Sequence, residues 1–322
     1  MRLLFNLKQL SLLLLTSGFA ISHSLGSFPD VGHDRAIAQS VRILVPSIEE
    51  SATPERIAAA IDRLKSSNPI DRLNAVRELV FYEKYATAAL PHLIPLLKDT
   101  NPDIRAEAAI TVGLIGESTA VPHLMPLLKD PSNPVRSSAA RAVGKMGDAS
   151  QAALLLLIAM LQEHDPQVRS SAIAGLGWMG QSAQVALPQI RLLLKDSDQQ
   201  VVFSAAETLV RLGDHQRGLT RLIALLKAPD TNTRSRANLV LKEIKDPLIP
   251  AIPQLIPLLQ DSDWFVRSTA AEVLETLGQP AKVAIPFLIP LLNDPNGWVR
   301  NPAVRTLSKV EEPAKFVTSF PF

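Results

Sequence analysis

Apolar residues recur along most of this chain with the spacing of one face of an α-helix. In the stretch "NPVRSSAARAVGKMG", which begins at Asn133, a valine precedes Arg136, and apolar residues follow the arginine at three, seven and ten positions. Residues at these offsets lie on one side of a helix with 3.6 residues per turn. The stretch therefore predicts an amphipathic helix with an arginine at the edge of its buried face.

The same helix recurs at a nearly constant period. Eight copies follow one another at spacings of 31 to 33 residues, and Val202 replaces the arginine in one of them. The arginines are Arg72, Arg105, Arg136, Arg169, Arg234, Arg267 and Arg300, and three residues beyond each position stand Ala75, Ala108, Ala139, Ala172, Ala205, Ala237, Ala270 and Ala303. A repeat of this length indicates one supersecondary unit copied eight times.

A shorter apolar segment precedes each of these helices. Segments such as "VPHLMPLLKD" and "AIPQLIPLLQD" carry a proline near their start, where a helix loses no hydrogen bond to it. A second proline follows four residues later and should bend the helix, at Pro95, Pro126, Pro257 and Pro290. Glycine ends most of the second helices, at Gly116, Gly147, Gly180, Gly213 and Gly278. We therefore expect helix–turn–helix units over residues 53–310.

No unit of this size buries its apolar face alone, so the units should stack into one continuous core. The predicted fold is all-α, a right-handed α-solenoid of about eight two-helix repeats. The unvarying alanine column marks the places where neighbouring helices approach too closely for a larger side chain.

The pattern resembles HEAT repeats, and in particular the short bacterial type named after the phycobilisome lyases. In that family an acid at the end of the first helix and an arginine at the start of the second form a ladder between units. The resemblance implies a ladder that includes Asp99, Arg105, Asp130, Arg136, Glu163, Arg169, Asp196, Asp261, Arg267, Asp294 and Arg300. Ser66 and Ala228 interrupt its acidic column. We interpret these arginines as structural and expect Arg136 to be held by Asp130 and by an acid of a neighbouring unit.

Three local rules fail close together in the fifth and sixth units. Val202 replaces the arginine, Ala228 replaces the acid, and the sixth unit ends at "KEIKDP" without a glycine. Because each solenoid unit contacts only its neighbours, we expect this segment, residues 199–246, to be the weakest part of the stack.

The N-terminus has the pattern of a secretory signal. Arg2 and Lys8 precede an apolar stretch over residues 10–21, and small-residue cleavage patterns end at Ala20 and Ala38. We assign residues 1–38 to a signal peptide and processing region, 39–52 to a linker, and 311–322 to a C-terminal tail. The mature protein should be exported to a periplasm, a thylakoid lumen or the extracellular space, with no stable membrane span. An uncleaved N-terminal anchor is the alternative.

Composition excludes several classes of function. The chain has 322 residues and no cysteine, which excludes disulfides, thiol catalysis and cysteine-ligated metals. Its formal net charge of +2 gives no overall preference for polyanions, so we expect no nucleic-acid partner.

Two enzymatic resemblances exist within the HEAT-type fold. Deoxyhypusine hydroxylases resemble it and bind iron through His-Glu pairs, but this chain has no such dipeptide. His92 and His123 occupy equivalent positions in neighbouring units, either as first-turn polar residues or as a pair that meets in space. We expect no metal, no cofactor and no catalytic residue. A bilin-lyase-type enzyme or subunit that handles a tetrapyrrole is the alternative, although 5% aromatic residues provide little for a tetrapyrrole pocket.

The second helices line the concave side in HEAT-like solenoids, and the residues two, five and nine positions after the arginine should face outward there. The centre of this stripe contains Arg141, Lys145, Trp178, Glu207 and Arg211. A tryptophan among arginines is typical of a binding hot spot. Either Trp178 faces the groove, or it packs over the next unit as the edge of the core.

Two other tryptophans, Trp264 and Trp298, stand at helix starts and should cover the ladder side.

We predict an exported scaffold without catalysis of its own that binds another protein through its concave surface.

Overall fold

The computed structural model describes residues 52–310, and the predicted signal peptide, nearly all of the linker and the tail lie outside them. Within these residues the chain is helical and contains no strand, which confirms the predicted all-α solenoid. The first helices of the eight units are α1 (Pro54–Arg63), α3 (Leu90–Leu96), α5 (Val121–Leu124), α7 (Leu154–Met160), α9 (Leu187–Leu192), α11 (His215–Leu225), α13 (Ile252–Leu255) and α15 (Ile285–Leu288). The second helices are α2 (Pro69–Val80), α4 (Pro102–Ile115), α6 (Asn133–Lys145), α8 (Pro166–Trp178), α10 (Gln199–Arg211), α12 (Thr231–Glu243), α14 (Trp264–Leu277) and α16 (Gly297–Val310).

Short 3₁₀ segments flank most of the first helices. They span Glu83–Ala89, Ser118–Ala120, Met125–Lys129, Gly147–Ala153, Gly180–Ala186, Leu193–Lys195, Asp246–Ala251, Ile256–Gln260, Gln279–Ala284 and Ile289–Asn293. Three of them begin one residue before a repeated proline, namely Pro126, Pro257 and Pro290, because proline has no amide to continue the α-helical bonding. Pro95 instead stays within α3.

Side chains and glycines define the helix ends. Asp165 caps α8, with its Oδ1 accepting hydrogen bonds from the Gln167 and Val168 amides at 2.7 and 3.3 Å. At the other ends, the five predicted glycines have positive φ values between 58° and 94°, a conformation that costs glycine little: Gly116, Gly147, Gly180, Gly213 and Gly278.

The second helices form a closely packed inner layer. Every member of the alanine column is fully buried. An ideal Cβ on Gly144 would lie 2.3 Å from the Cα of Gly175, and one on Gly113 would lie 2.6 Å from the Cα of Ala142. The second helices contact one another more extensively than the first helices do and form one continuous layer. The concave groove predicted from the sequence would lie on this layer of α2, α4 and their equivalents.

The apolar core divides at α10. Alternate faces of this helix belong to two clusters, with Val201, Ala205 and Leu209 in the first and Val202, Phe203 and Ala206 in the second. The next second helix, α12, is packed more loosely against α10 and α14 than α6 is against α4 and α8. The division falls within the segment in which the repeat pattern is weakest.

Among the described residues, no helix combines the length and apolarity needed to span a membrane. Within residues 52–310 no group of three or more His, Asp or Glu side chains is placed to hold a metal ion.

Candidate functional site

A ladder of arginines runs along the turns between first and second helices. Arg72 donates from Nε and Nη2 to the Asp99 carboxylate at 2.8 and 3.1 Å, and Arg169 donates to Asp196 at 2.9 and 2.8 Å. Arg267 binds Asp294 in the same way, at 2.7 and 3.1 Å. Each of these three arginines thus contacts the acid of the following unit.

Arg136 departs from the expected pairing. Its Nη1 donates to the carbonyl of Asp130 at 2.8 Å, while the Asp130 carboxylate accepts from Arg105. Glu163 of the next unit is 3.2 Å from Arg136 Nη2, and Asn133 Oδ1 accepts from the same atom at 2.6 Å. Arg136 thus contacts an acid of a neighbouring unit as expected, at Glu163, whereas its contact with Asp130 is to the backbone carbonyl and not to the carboxylate.

The ladder is also interrupted at Arg234, although the acid of its following unit, Asp261, is present. Arg234 donates only to the carbonyls of Ala228 and Pro229, at 2.9 and 3.4 Å, and packs over the Phe265 ring. Asp261, which should continue the ladder, instead lies 2.6 Å from Lys227 Nζ.

The last ladder arginine, Arg300, donates to the carbonyls of Asp294 and Pro295, at 2.7 and 3.0 Å.

The ladder carboxylates are charged members of hydrogen-bonded pairs. Burial raises the pKa of the Asp130 carboxyl, but hydrogen bonds from Arg105 and the Ser132 amide outweigh it and hold this pKa below its usual range. The same causes, with other partners, lower the pKa of Asp99 and Asp196. These arginines are thus engaged in structural contacts and are not free to bind a ligand.

The predicted groove centre lies on neighbouring second helices. Trp178 is partly buried, and Lys145 Nζ stands 5.9 Å from the centroid of its ring, within cation–π range. Arg211 is exposed and pairs with Glu207 of its own helix at 2.9 Å. Trp178 therefore shares its surface with a cation of the preceding unit.

Arg236 is a further cation of the predicted groove, on α12. Burial is the main cause that lowers the pKa of Arg236, Glu207 opposes this effect, and the positive charge of Arg141 lowers the pKa further.

The repeat pattern places Arg236 on the stripe, but helical periodicity alone does not place it at the centre. Its guanidinium stacks over the Phe203 ring at 4.0 Å from the centroid and donates to Gln200 Oε1. The sequence signal for Arg236 was a cation two positions after the arginine column.

Four of the predicted outward positions are buried instead. These residues lie two positions after the arginine column: Ser171, Ser204, Thr269 and Pro302. Close packing of adjacent second helices covers this position, so the exposed floor of the groove consists mainly of residues five and nine positions after the column.

A small pocket adjoins Arg141 between α6 and α8. Its volume is about 280 Å³, and its lining includes Ser137, Ser138, Ser171 and Gln167. Ser137 is only 5% exposed, and its Oγ has no hydrogen-bond partner among the described residues. Such an unpaired buried hydroxyl is uncommon in folded proteins.

A wider pocket of about 720 Å³ lies at the ladder end of α14 and α16. Trp264 and Trp298 line it together with Arg267, which agrees with their expected position near the ladder. Trp298 is 72% exposed and Trp264 is 44% exposed, so they cover the ladder only partly. Elsewhere, His92 is partly buried and His123 is exposed.

Comparisons with known proteins agree with this architecture. The family model of HEAT repeats matches residues 57–144, 90–163, 121–188, 155–229 and 219–308. The complex of CpcE and CpcF of phycocyanin lyase from Nostoc sp. PCC7120 is similar in structure, with a TM-score of 0.53 and 24% identity, over 73% of this chain and 94% of that chain. YibA of Escherichia coli is also similar, with a TM-score of 0.51 and 16% identity, over 88% of this chain and 99% of that one. No curated protein matches the chain.

Proposed function

Since these matches together cover residues 57–308, the chain belongs to the HEAT-repeat family, and we propose that it is a scaffold that binds another protein in its concave groove. The observation that carries this proposal is the groove centre. There the partly buried Trp178, the cation Lys145 above its ring, and Arg141 share one accessible inner surface. Aromatic residues and arginines at the centre of a concave surface usually contribute most of the binding energy.

The scaffold has no catalytic step of its own and acts after export. The export part rests on the N-terminal pattern alone, and it is tested by N-terminal sequencing of the protein produced with its native start. A mature N-terminus near residue 21 or 39 agrees with export, whereas an intact Met1 in a soluble cytosolic product contradicts it.

The binding part is tested by capture of proteins from the exported fraction of the source organism. Trp178→Ala combined with Arg141→Glu should abolish capture while helical content and melting temperature stay close to those of the unmodified protein. The matched control is Leu192→Ala combined with Lys195→Glu, which changes an exposed apolar residue and an exposed cation on the first-helix side of the next unit. Equal capture by both variants would overturn the concave-face assignment.

A bilin-lyase-type enzyme or subunit is the second candidate function. Its support is the similarity of fold to the CpcE and CpcF complex. A visible-absorbance titration with a free bilin separates the two candidates, because a tetrapyrrole held in a protein pocket changes its absorption spectrum. Saturable spectral change at micromolar protein would favour the lyase type, and an unchanged spectrum would favour the scaffold.

A further inference from the structure

The groove contains three cations without a carboxylate partner, and all three lie in its central units. Among the described residues, Arg141 and Lys145 contact no carboxylate, and Arg236 contacts only an amide oxygen and a ring. The other cations at the equivalent positions each pair with an acid: Arg77 with Glu107, Arg211 with Glu207, and Arg305 and Lys309 with Glu275. The positive charge of the groove is therefore concentrated at its centre.

Arg141 and Lys145 are like charges at positions i and i+4 of α6, and both side chains are exposed. Like charges at this spacing repel each other and gain free energy from a nearby anion. An anionic partner would supply the charge that the groove lacks.

The pocket beside Arg141 adds a binding site for a single anionic group. Ser137 Oγ is buried, unpaired among the described residues, and part of the pocket lining. Asp165 also borders the pocket, but its oxygens already accept from Asn133 Nδ2 at 2.5 Å and from the Gln167 and Val168 amides. A carboxylate is small enough for this volume, and the Ser137 hydroxyl and the Arg141 guanidinium are donors that border it.

We propose that the groove recognises an acidic segment of its protein partner, with one Asp or Glu carboxylate against Ser137 and Arg141 and others along Lys145 and Arg236. This inference rests on the proposed scaffold function and adds the chemical class of the partner. A nucleic acid fits less well, because its continuous phosphates would meet Glu107, Glu207 and Glu272 along the same groove. An acidic peptide needs negative charge only at the centre.

The test uses Trp178 as its reporter. In a Trp264→Phe, Trp298→Phe background, Trp178 is the one remaining tryptophan of the chain. The probe is a ten-residue peptide with four glutamates spaced by glycine and serine, and the reference peptide has glutamine in place of each glutamate. We expect the glutamate peptide to change Trp178 emission saturably, with affinity that falls as salt rises, and the glutamine peptide to bind at least about tenfold more weakly.

Matched variants locate the site. Arg141→Gln should weaken binding of the glutamate peptide about tenfold, whereas Arg211→Gln, at a cation already neutralised by Glu207, should change it less than about twofold. Ser137→Ala should weaken binding while leaving the melting temperature unchanged or higher, because it removes an unpaired buried hydroxyl. Ser137→Ala therefore separates a role of the hydroxyl in binding from a role in stability.

Three results would overturn the inference: equal binding of the two peptides, equal effects of Arg141→Gln and Arg211→Gln, or tighter binding of a ten-nucleotide single-stranded DNA than of the glutamate peptide. The scaffold proposal has a separate readout, the capture of a native partner by the unmodified protein. If capture depends on Trp178 but the glutamate peptide does not bind, the acidic class is wrong and the scaffold stands. If the glutamate peptide binds but the concave variant captures the native partner normally, the groove is not the partner surface and the concave-face assignment is wrong.

Discussion

The guanidinium of Arg105 joins two consecutive units. Its Nε and Nη2 donate to the Asp130 carboxylate of the following unit at 2.8 and 2.9 Å, and its Nη1 donates to the Asp99 carbonyl of its own unit at 2.8 Å. Asp130 is in turn fixed by the Ser132 amide at 2.9 Å. The Arg105 guanidinium thus donates both to a carbonyl at the end of a helix and to a carboxylate that would otherwise be buried without a charged partner.

Replacement of Arg105 by alanine should lower the free energy of unfolding by about 1–3 kcal/mol, because it leaves the Asp130 carboxylate buried and uncompensated. Urea denaturation followed by circular dichroism measures this loss. Arg234→Ala is the control, since Arg234 contacts carbonyls and a ring but no acid within residues 52–310. An equal loss in both variants would show that the carboxylate pair contributes nothing specific.

The ladder acids should also make stability depend on pH. The pKa of Asp99, Asp130 and Asp196 is lower in the folded protein than in the unfolded chain, where a carboxyl titrates near about 3.9. Their contribution is therefore fully present above the unfolded pKa and is lost as pH falls through the folded values.

The Asp130→Asn variant lacks the contribution of the Asp130 carboxylate to the pH dependence of stability. The difference in melting temperature between the unmodified protein and the variant should be largest near pH 7 and should shrink below pH 4. A constant difference across this range would mean that Asp130 stabilises the fold without its charge.

Much of the fold can be predicted from the sequence because the same helix pattern occurs in eight consecutive units. The alanine column predicts close helix contacts, and Ala139 and its equivalents are fully buried. The terminal glycines predict left-handed helix ends, and Gly147 and its equivalents have positive φ values. The ladder partners were harder to assign. The sequence suggests both Asp130 and an acid of a neighbouring unit as partners of Arg136, and only the direction of the side chain shows that the carboxylate partner is Glu163 of the next unit.

The groove was predictable only in part. Helical offsets place Arg141, Lys145 and Trp178 on one surface, but they also place Ser171 there, which close helix packing buries. The contact of Arg236 with the Phe203 ring and the contact of Gly144 with Gly175 depend on how neighbouring units pack, which hydrophobic periodicity does not encode.

Gly144→Ala should destabilise the protein although alanine is the better helix former by about 1 kcal/mol. The added methyl would lie 2.3 Å from the Cα of Gly175, so two backbones would have to separate. Thermal denaturation measures the effect. Gly297→Ala is the matched control, since its nearest neighbour would be Arg300 Nη2 at 3.5 Å, an ordinary contact. We expect this control to be neutral or stabilising.

The segment 199–246 should exchange its amide hydrogens before the flanking units. The core divides within α10, α12 packs loosely, and Arg234 lacks an acid among the described residues. A defect in a solenoid is not averaged over the molecule, because each unit depends on its neighbours alone. Hydrogen exchange with mass spectrometry should show the lowest protection here. Equal protection of α6 and α12 would contradict this prediction.

The positive centre of the groove should be measurable without any partner. With Trp178 as the one tryptophan of a Trp264→Phe, Trp298→Phe variant, iodide should quench its emission more strongly than caesium at low ionic strength, because Arg141 and Lys145 attract the anion. Added inert salt should reduce the difference, since screening shortens to about 3 Å at 1 M. Neutral acrylamide reports the accessibility of the ring separately. Replacing Arg141 and Lys145 by glutamine should abolish the preference for iodide while acrylamide quenching persists. If iodide and caesium quench Trp178 equally in the unsubstituted groove, the local potential is not positive, and neither Arg141 nor Lys145 lies where an acidic segment would meet it.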